Sequence, residues 1–161
     1  MMNLKSLLKE PLTSPPKWFV WGFIALSFTG FLDSSYLTAK HFLGETPNCS
    51  FLKGCATVTT SQYSEIWGIP IALIGASYYL LILILSIAYL DTKNLKILKL
   101  TVFLTPLGFL TSLFLVYLQL FVLNAICLYC IISALTSTSL FVLGGYALLK
   151  FSEKESVTEQ Y

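Results

Sequence analysis

The sequence predicts an all-α integral membrane protein folded as a four-helix bundle, and three observations support that fold class. Of the 161 residues, 56% are hydrophobic and 11% are charged, whereas soluble domains carry roughly 25% charged residues. Four apolar stretches are each long enough to cross a bilayer as a helix. Lysines gather in some of the polar segments between these stretches and avoid the others. We therefore expect a single transmembrane domain over residues 1–161.

The apolar stretches define the spans in order. Residues 1–17 form a polar tail whose prolines stop a helix from continuing into the first span. No small-residue cleavage site follows the first apolar run, which indicates a retained helix rather than a signal peptide. Gly68-Ile69-Pro70 opens the second span, and Pro106 and Gly108 predict a kink in the third. The predicted spans are about 18–38, 68–90, 100–123 and 126–149.

Lysine placement predicts the orientation. Eight of the ten lysines lie in the two tails and in the turn at 91–99, two lie between the first and second spans, and none lies between the third and fourth. Because cytoplasmic loops carry an excess of basic residues, both termini are expected in the cytoplasm. The C-terminal residues 152–161 show no ER-retention signal, which favours the inner (plasma) membrane of a bacterial cell. The four cysteines then face the opposite, oxidising side, where disulfides persist.

Cys127 and Cys130 form the strongest chemical motif of the chain. They begin the last apolar stretch, and on a helix their spacing puts both sulfurs on one face. Amide groups at a helix N-terminus favour a thiolate, so this pair is a candidate redox centre. Cys49 and Cys55 lie in the polar segment 39–67. Two pairs on one membrane face suggest a relay in which the loop pair meets a soluble protein and the recessed pair meets an acceptor dissolved in the membrane.

Two other interpretations of the cysteines remain open at this point. They could form two structural disulfides of a membrane scaffold that is not an enzyme, or a thiolate metal site. Four cysteines allow three pairings, and Cys55 could also reach Cys127 if the loop folds over the bundle. The single histidine, His41, has no second histidine with which to share a metal, so we expect no metal. The net charge of +2 is too small to indicate nucleic acid binding.

Further motifs accompany the cysteines in a recognisable order. They are Asn48-Cys49, Cys55, Val58, Ser61, Tyr63, Gly68-Ile69-Pro70, Gly75, Tyr117-Leu118-Gln119 and Cys127-Leu128-Tyr129-Cys130. This order resembles the vitamin K epoxide reductase family in its bacterial branch, from about Ser34 to Thr138. A second type of membrane thiol oxidase that reduces quinones, disulfide bond formation protein B, carries its CxxC in the first external loop, whereas here the CxxC comes last.

The resemblance implies a fold and a set of roles. The family fold is a four-helix bundle around a quinone, with a short capping helix in the first extracytoplasmic loop, which 57–66 would supply here. Cys130 would react with the quinone (ubiquinone or menaquinone), Cys127 would exchange with Cys55, and Cys49 would meet the soluble partner. No fused thioredoxin-like domain follows the fourth span, so a separate extracytoplasmic thioredoxin-like protein is the expected partner.

Other polar residues near the cysteines are weaker candidates. Ser61, at the position of the family's active-site serine, could hydrogen-bond a quinone carbonyl or a thiolate, or simply cap a helix. Gln119 and Asn124 could donate to a quinone oxygen, although interhelical hydrogen bonding is the simpler explanation. Asp33 could accept a proton during thiol oxidation, or it could be solvated.

The predicted function is therefore that of a membrane quinone-dependent thiol oxidoreductase. It would reoxidise an extracytoplasmic disulfide-forming protein and pass the electrons to a membrane quinone. Vitamin K epoxide reductase proper is the alternative within the family. Ala134 stands where the eukaryotic members carry a quinone-contacting tyrosine.

Overall fold

Helices account for nearly all of the regular structure. The computed structural model describes residues 15–47 and 54–153, the last four by backbone alone. Among these residues the long helices are α1 (Lys17–Phe42), α3 (Ile71–Thr92), α4 (Leu95–Tyr117) and α5 (Leu128–Glu153), the short helix is α2 (Cys55–Thr59), and a π-helical turn (Leu118–Val122) extends α4. Strands β1 (Glu65–Ile66) and β2 (Ile69–Pro70) form a small antiparallel hairpin.

The long helices pack side by side, each against two others. Helix α1 lies against α3 and α5, and α4 lies against the same two helices. A cluster of buried apolar side chains, which includes Phe19, Phe23, Tyr89 and Leu98, lies where the first turns of α1 and α4 meet the last turns of α3 and α5. The tight core therefore fills the end of the bundle that lies away from the hairpin.

Three helices in the described part of the chain are long and apolar enough to cross a membrane. They are Ile71–Thr92, Leu95–Val122 and Leu128–Leu149. Large apolar side chains point outward along them, for example Phe103, Leu107, Leu110, Leu113 and Phe114 of α4, which are 51–62% exposed. Such a surface on helices of this length is typical of contact with lipid, and together the two observations confirm the prediction of an all-α membrane protein.

Helix α1 is not among those three, and its span stays a prediction. At 26 residues it is long enough, since a helix rises about 1.5 Å per residue. Asp33, Lys40 and several hydroxyl side chains make it less apolar than the other long helices.

The observed helices begin and end at other residues than the predicted spans. Local capping hydrogen bonds account for the differences in α1 and α4. Helix α1 continues to Phe42 and ends in a Schellman motif: the Glu45 amide donates to the Lys40 carbonyl, and Gly44 adopts a φ of +66°. Helix α4 begins at Leu95, five residues before the predicted start at 100, because the Asn94 side chain accepts from the Lys96 amide (3.0 Å).

Helix α4 passes through Pro106 without breaking. Proline lacks the amide that would bond the carbonyl four residues earlier, which belongs to Val102. The hydroxyl of Thr105 donates to that carbonyl at 2.7 Å. The sequence analysis predicted a kink at Pro106. It did not predict that Thr105 would donate to the carbonyl that the proline leaves without a partner.

The first loop contains a shorter helix than the resemblance implied. The expected cap was 57–66, whereas α2 covers Cys55–Thr59 and is followed by turns and the hairpin. Trp67 (φ +53°) and Gly68 (φ +77°) form a two-residue turn between the strands, the type I′ geometry that suits hairpins. Gly68-Ile69-Pro70 therefore belongs to the hairpin, and the second long helix begins only at Ile71.

Tyr79 joins three helices in the middle of the bundle. Its hydroxyl donates to the Ser133 carbonyl of α5 (2.7 Å) and lies 3.0 Å from the Thr136 hydroxyl. Its ring lies against Gly30 of α1, where an added Cβ would be 2.5 Å from Cε1 of the tyrosine. The tyrosine ring thus fits only because residue 30 has no side chain.

We expect Gly30→Ala to destabilise the bundle by about 1–3 kcal/mol, the usual cost of overpacking a core. Tyr79 is 2% exposed and held by α5, so its ring cannot simply move aside. The measurement is unfolding in detergent micelles. Gly145→Ala is the matched control because a Cβ added there would have nothing within 4 Å. Equal stability of the two variants would contradict this packing.

Candidate functional site

Cys127 is the N-cap of helix α5. The helix begins at Leu128, two residues after the predicted start at 126, so Cys127 precedes its first turn and Cys130 lies within it. The Cys127 sulfur accepts hydrogen bonds from the amides of Tyr129 and Cys130, and its carbonyl accepts from the Ile131 amide (3.1 Å). A sulfur thus fills the place that a serine or aspartate oxygen usually takes at a helix start.

The two CxxC thiols interact directly. Cys127 and Cys130 are both free thiols, and they share a side-chain hydrogen bond. Cys127 lies just before the membrane-crossing segment 128–149. The hydrogen bond from Cys130, helped by the two backbone amides and opposed by burial, lowers the pKa of Cys127 from 9.0 to about 7. Cys127 is therefore the sulfur of the pair that ionises near neutral pH.

Gln119 holds the Cys127 backbone in place. It lies in the π-helical turn after α4 and is 2% exposed. Its side-chain oxygen accepts from the Cys127 amide (3.0 Å), and its backbone carbonyl accepts from the Ala125 amide (3.0 Å). The wider π turn, with the Leu123 amide bonded to Leu118, gives the chain room to reverse within a few residues.

Cys55 belongs to a separate sulfur centre. It begins α2, is 1% exposed and is disulfide-bonded. Because Cys127 and Cys130 are free, that disulfide does not involve the CxxC pair. Cys49, predicted to meet the soluble partner, lies outside the described residues.

A cavity of about 780 Å³ opens at the hairpin end of the bundle. It lies between the first loop and helices α1, α3, α4 and α5, and Cys130 is part of its wall whereas Cys127 and Cys55 are not. Most of the lining is apolar. The polar side chains in the wall include Ser34, Ser61, Tyr79, Ser112, Gln119, Ser133 and Ser137.

The three predicted quinone contacts have different surroundings. Ser61 lines the cavity, but its hydroxyl donates to the Val58 carbonyl at 2.8 Å. Gln119 also lines the cavity, although its oxygen is committed to the Cys127 amide. Asn124 is exposed, adopts a φ of +47° and is not part of the cavity wall. Asparagine tolerates this left-handed conformation well, so Asn124 makes the turn into α5.

Two serines of α5 in the cavity wall were missed in the sequence. Ser133 and Ser137 follow Cys130 at intervals of three and four residues, which places all three on one helix face. The Ser137 hydroxyl lies 2.6 Å from that of Ser112 on α4. The spacing from Cys130 was the available signal.

Asp33 faces the CxxC pair from helix α1. The carboxylate is close enough to interact electrostatically with both Cys127 and Cys130. Its Oδ2 atom is buried and has no hydrogen-bond partner among the residues that the structure describes. Next to it, Tyr36 packs against Tyr129 with ring centroids 5.1 Å apart. Asp33 is therefore not simply solvated.

Two pairs of ionisable side chains line the cavity beside the hairpin. His41 at the end of α1 pairs with Glu65 of β1 (Nε2 to Oε1, 3.1 Å), and Lys40 pairs with Glu45. All four line the cavity. Within the described ranges, no three histidine, cysteine or acidic side chains come together as a metal site would require.

Comparison with known families gives one match. The model of the vitamin K epoxide reductase family matches residues 21–144, which is most of the chain. No curated protein sequence matches the chain.

We expect Gln119→Leu to destabilise the protein by about 1–3 kcal/mol, because it leaves the buried Cys127 amide without an acceptor. Thermal unfolding in micelles measures the loss. Asn124→Gly, in the turn next to it, should be neutral, since glycine adopts a positive φ without strain. A neutral Gln119→Leu variant would show that the loop does not depend on this side chain.

The lowered pKa of Cys127 predicts a thiolate signal that rises through about pH 7. Below that pH both thiols are protonated, and above it Cys127 carries the charge. Cys130→Ala removes the hydrogen bond that favours the thiolate, so its midpoint should move to higher pH. Ultraviolet thiolate absorbance measures both titrations, and an unchanged midpoint would contradict the role of Cys130 as donor.

Proposed function

Because the chain belongs to the vitamin K epoxide reductase family, a family of membrane oxidoreductases, we propose that it is a quinone-dependent oxidase of protein thiols. The single observation that supports this most strongly is the position of Cys130. It is at once hydrogen-bonded to the N-cap thiol Cys127 and part of the wall of a large apolar cavity. An oxidisable dithiol therefore borders a space that can take a lipid-soluble acceptor.

The cavity fits a quinone in size and chemistry. Its volume of about 780 Å³ lies within the range of roughly 300–1,000 Å³ for small-molecule sites, which are mostly apolar with a few polar groups. Ser133 and Ser137 lie along the wall from Cys130. Their hydroxyls are bonded to those of Tyr79 (3.1 Å) and Ser112 (2.6 Å), so they would exchange these partners to bind the ring oxygens. Gln119 retains its amide nitrogen as a donor, and the Ser61 oxygen can still accept a hydrogen bond. When bound, the quinone supplies an acceptor for two electrons and two protons.

The proposed cycle moves two electrons between the sulfur pairs. A thiolate of a thioredoxin-like partner attacks Cys49 of a Cys49–Cys55 disulfide, Cys55 leaves as a thiolate, and the partner's second thiol completes its own disulfide. The Cys55 thiolate then attacks Cys127 of an oxidised CxxC, and Cys130 leaves as a thiolate. Cys49 finally attacks Cys55, which restores the loop disulfide and releases Cys127.

The CxxC geometry suits this exchange. The Cys130 hydrogen bond, together with the amides at the start of α5, stabilises Cys127 as a thiolate, which makes it a good leaving group in the last step. Asp33 interacts electrostatically with both thiols, and its buried Oδ2 atom has no hydrogen-bond partner among the described residues. We assign it as acceptor for a proton released when the pair is oxidised.

The proposal includes a location and an orientation. The lysine distribution favours four spans including α1, both termini in the cytoplasm and the cysteines outside the plasma membrane. The partner is then a separate extracytoplasmic protein. Cys127 and Cys130 are free rather than bridged, which supports a redox role over that of a second structural disulfide.

We expect Cys130→Ser to reduce quinone reduction to background, because the remaining Cys127 cannot form a disulfide with it. The partner should still form a mixed disulfide with Cys49. Quinol formation and partner trapping are measured with the purified protein in micelles. Ser139→Ala, an exposed position on the same helix, is the control. Normal quinol formation by Cys130→Ser would refute the assignment.

A further inference from the structure

The loop that carries Cys55 touches the turn that carries Cys127, backbone against backbone. Gly54 directly precedes Cys55, and Ile126 directly precedes Cys127. A Cβ added at Gly54 would lie 2.6 Å from the Ile126 nitrogen, 2.7 Å from its carbonyl oxygen and 3.1 Å from the Ala125 carbonyl carbon. Since a Cβ lies one bond of about 1.5 Å from its Cα, the Gly54 Cα is within roughly 4 Å of the Ile126 nitrogen.

The backbone conformation at residue 54 does not itself demand glycine. Gly54 has a φ of −84° and a ψ of −10°, a right-handed conformation open to any residue. What the position demands is the absence of a side chain. The neighbouring atoms belong to main chain rather than to a flexible side-chain tip, so rotamer changes cannot make room for a Cβ.

This contact limits the distance between Cys55 and Cys127. Each cysteine is the next residue after a residue of the contact, and consecutive Cα atoms are 3.8 Å apart. A disulfide needs Cα atoms within roughly 4.4–6.8 Å. Both cysteines are buried, at 1% and 0% exposure, so reagents in solution reach neither of them readily. An exchange between them must therefore depend on this local approach.

We propose that Gly54 is a positioning residue: its missing side chain lets the first loop dock on residues 125–126, which brings Cys55 within reach of Cys127. This inference rests on the proposed function. The step it governs is the attack of the Cys55 thiolate on Cys127 of the oxidised pair. The Cys55–Cys127 bond forms, the Cys127–Cys130 bond breaks, and Cys130 takes the electron pair. Gly54 touches neither sulfur and acts only through the distance between them.

Alanine at position 54 should increase the distance between Cys55 and Cys127. A real Cβ does not approach a heavy atom closer than 3.0 Å, so the loop or the turn must move until the 2.6 Å contact reaches at least that value. Displacements of about 1 Å can slow a reaction on the order of a hundredfold. Gly54 is not part of the cavity wall, so we expect the change to affect the approach of the loop to residues 125–126 rather than the cavity that Cys130 borders.

The test measures the rate at which the fully reduced protein converts a first and then a second equivalent of quinone to quinol. All four cysteines are reduced, the reductant is removed, and the protein is mixed with two equivalents of a water-dispersible ubiquinone analogue. The first equivalent oxidises the CxxC pair and needs no contact with the loop. The second requires electrons from the loop pair. In Gly54→Ala the first phase should keep the wild-type rate and the second should slow on the order of a hundredfold, whereas Gly145→Ala should match wild type in both.

Failure of the role proposed for Gly54 and failure of the proposed function would give different results. A second phase at the wild-type rate in Gly54→Ala would overturn the role of Gly54 and leave the proposed function intact. A wild-type protein that reduces no quinone would overturn the proposed function instead.

Disulfide mapping provides a second measurement that does not depend on the folding of Gly54→Ala. In a Cys49→Ser/Cys130→Ser variant only Cys55 and Cys127 remain as cysteines. Oxidation with diamide, which takes up two electrons and two protons, should join them as a Cys55–Cys127 disulfide that no third thiol can open. Mass spectrometry of unreduced peptides should recover that bridge, and its absence in this variant would contradict the close approach. When Gly54→Ala is added, the initial rate of bridge formation should fall on the order of a hundredfold, and an unchanged rate would again overturn the role of Gly54.

Discussion

The start of helix α5 is the constraint on which the rest of the site depends. The first amides of any helix lack partners within it, and here the Cys127 sulfur accepts two of them. Cys130 follows in the first turn, and the hydrogen bond from its thiol is the largest cause that lowers the pKa of Cys127; the amides that the sulfur caps act in the same direction.

Other parts of the structure serve to hold this helix start in position. The π turn places Gln119 under the Cys127 amide, and the reversal at Asn124 uses a left-handed residue to enter α5. Tyr79 fastens α5 to α1 and α3 farther along the helix. On the side of the first loop, Gly54 comes into backbone contact with the turn before Cys127. Contacts from the π turn, from α3 and from the first loop therefore position helix α5 and the dithiol at its start.

The bundle is packed unevenly, and this unevenness leaves space for a ligand. Large apolar side chains close the end that contains Phe19, Phe23 and Leu98. At the other end small residues such as Ser133, Ala134 and Ser137 face the interior, and the cavity remains between them and the loop. The polar groups in its wall are mostly bonded within the protein, as Ser112 is to Ser137. A ring compound would therefore meet a preformed site with few polar contacts.

The sequence by itself determined the membrane class, the long apolar helices and the CxxC at the start of the last one. Those features depend on composition, on hydrophobic length and on spacing along one chain. The order of its motifs also identified the family. The sequence did not determine where the helices end. Those ends depend on which local hydrogen bonds form, such as the Schellman motif at Gly44 and the cap at Asn94. Only the tertiary structure decided that Gln119 binds the Cys127 backbone, that Asn124 lies outside the cavity, and that Gly54 meets Ile126. These are contacts between segments far apart in the chain, and one sequence carries no record of which segments meet.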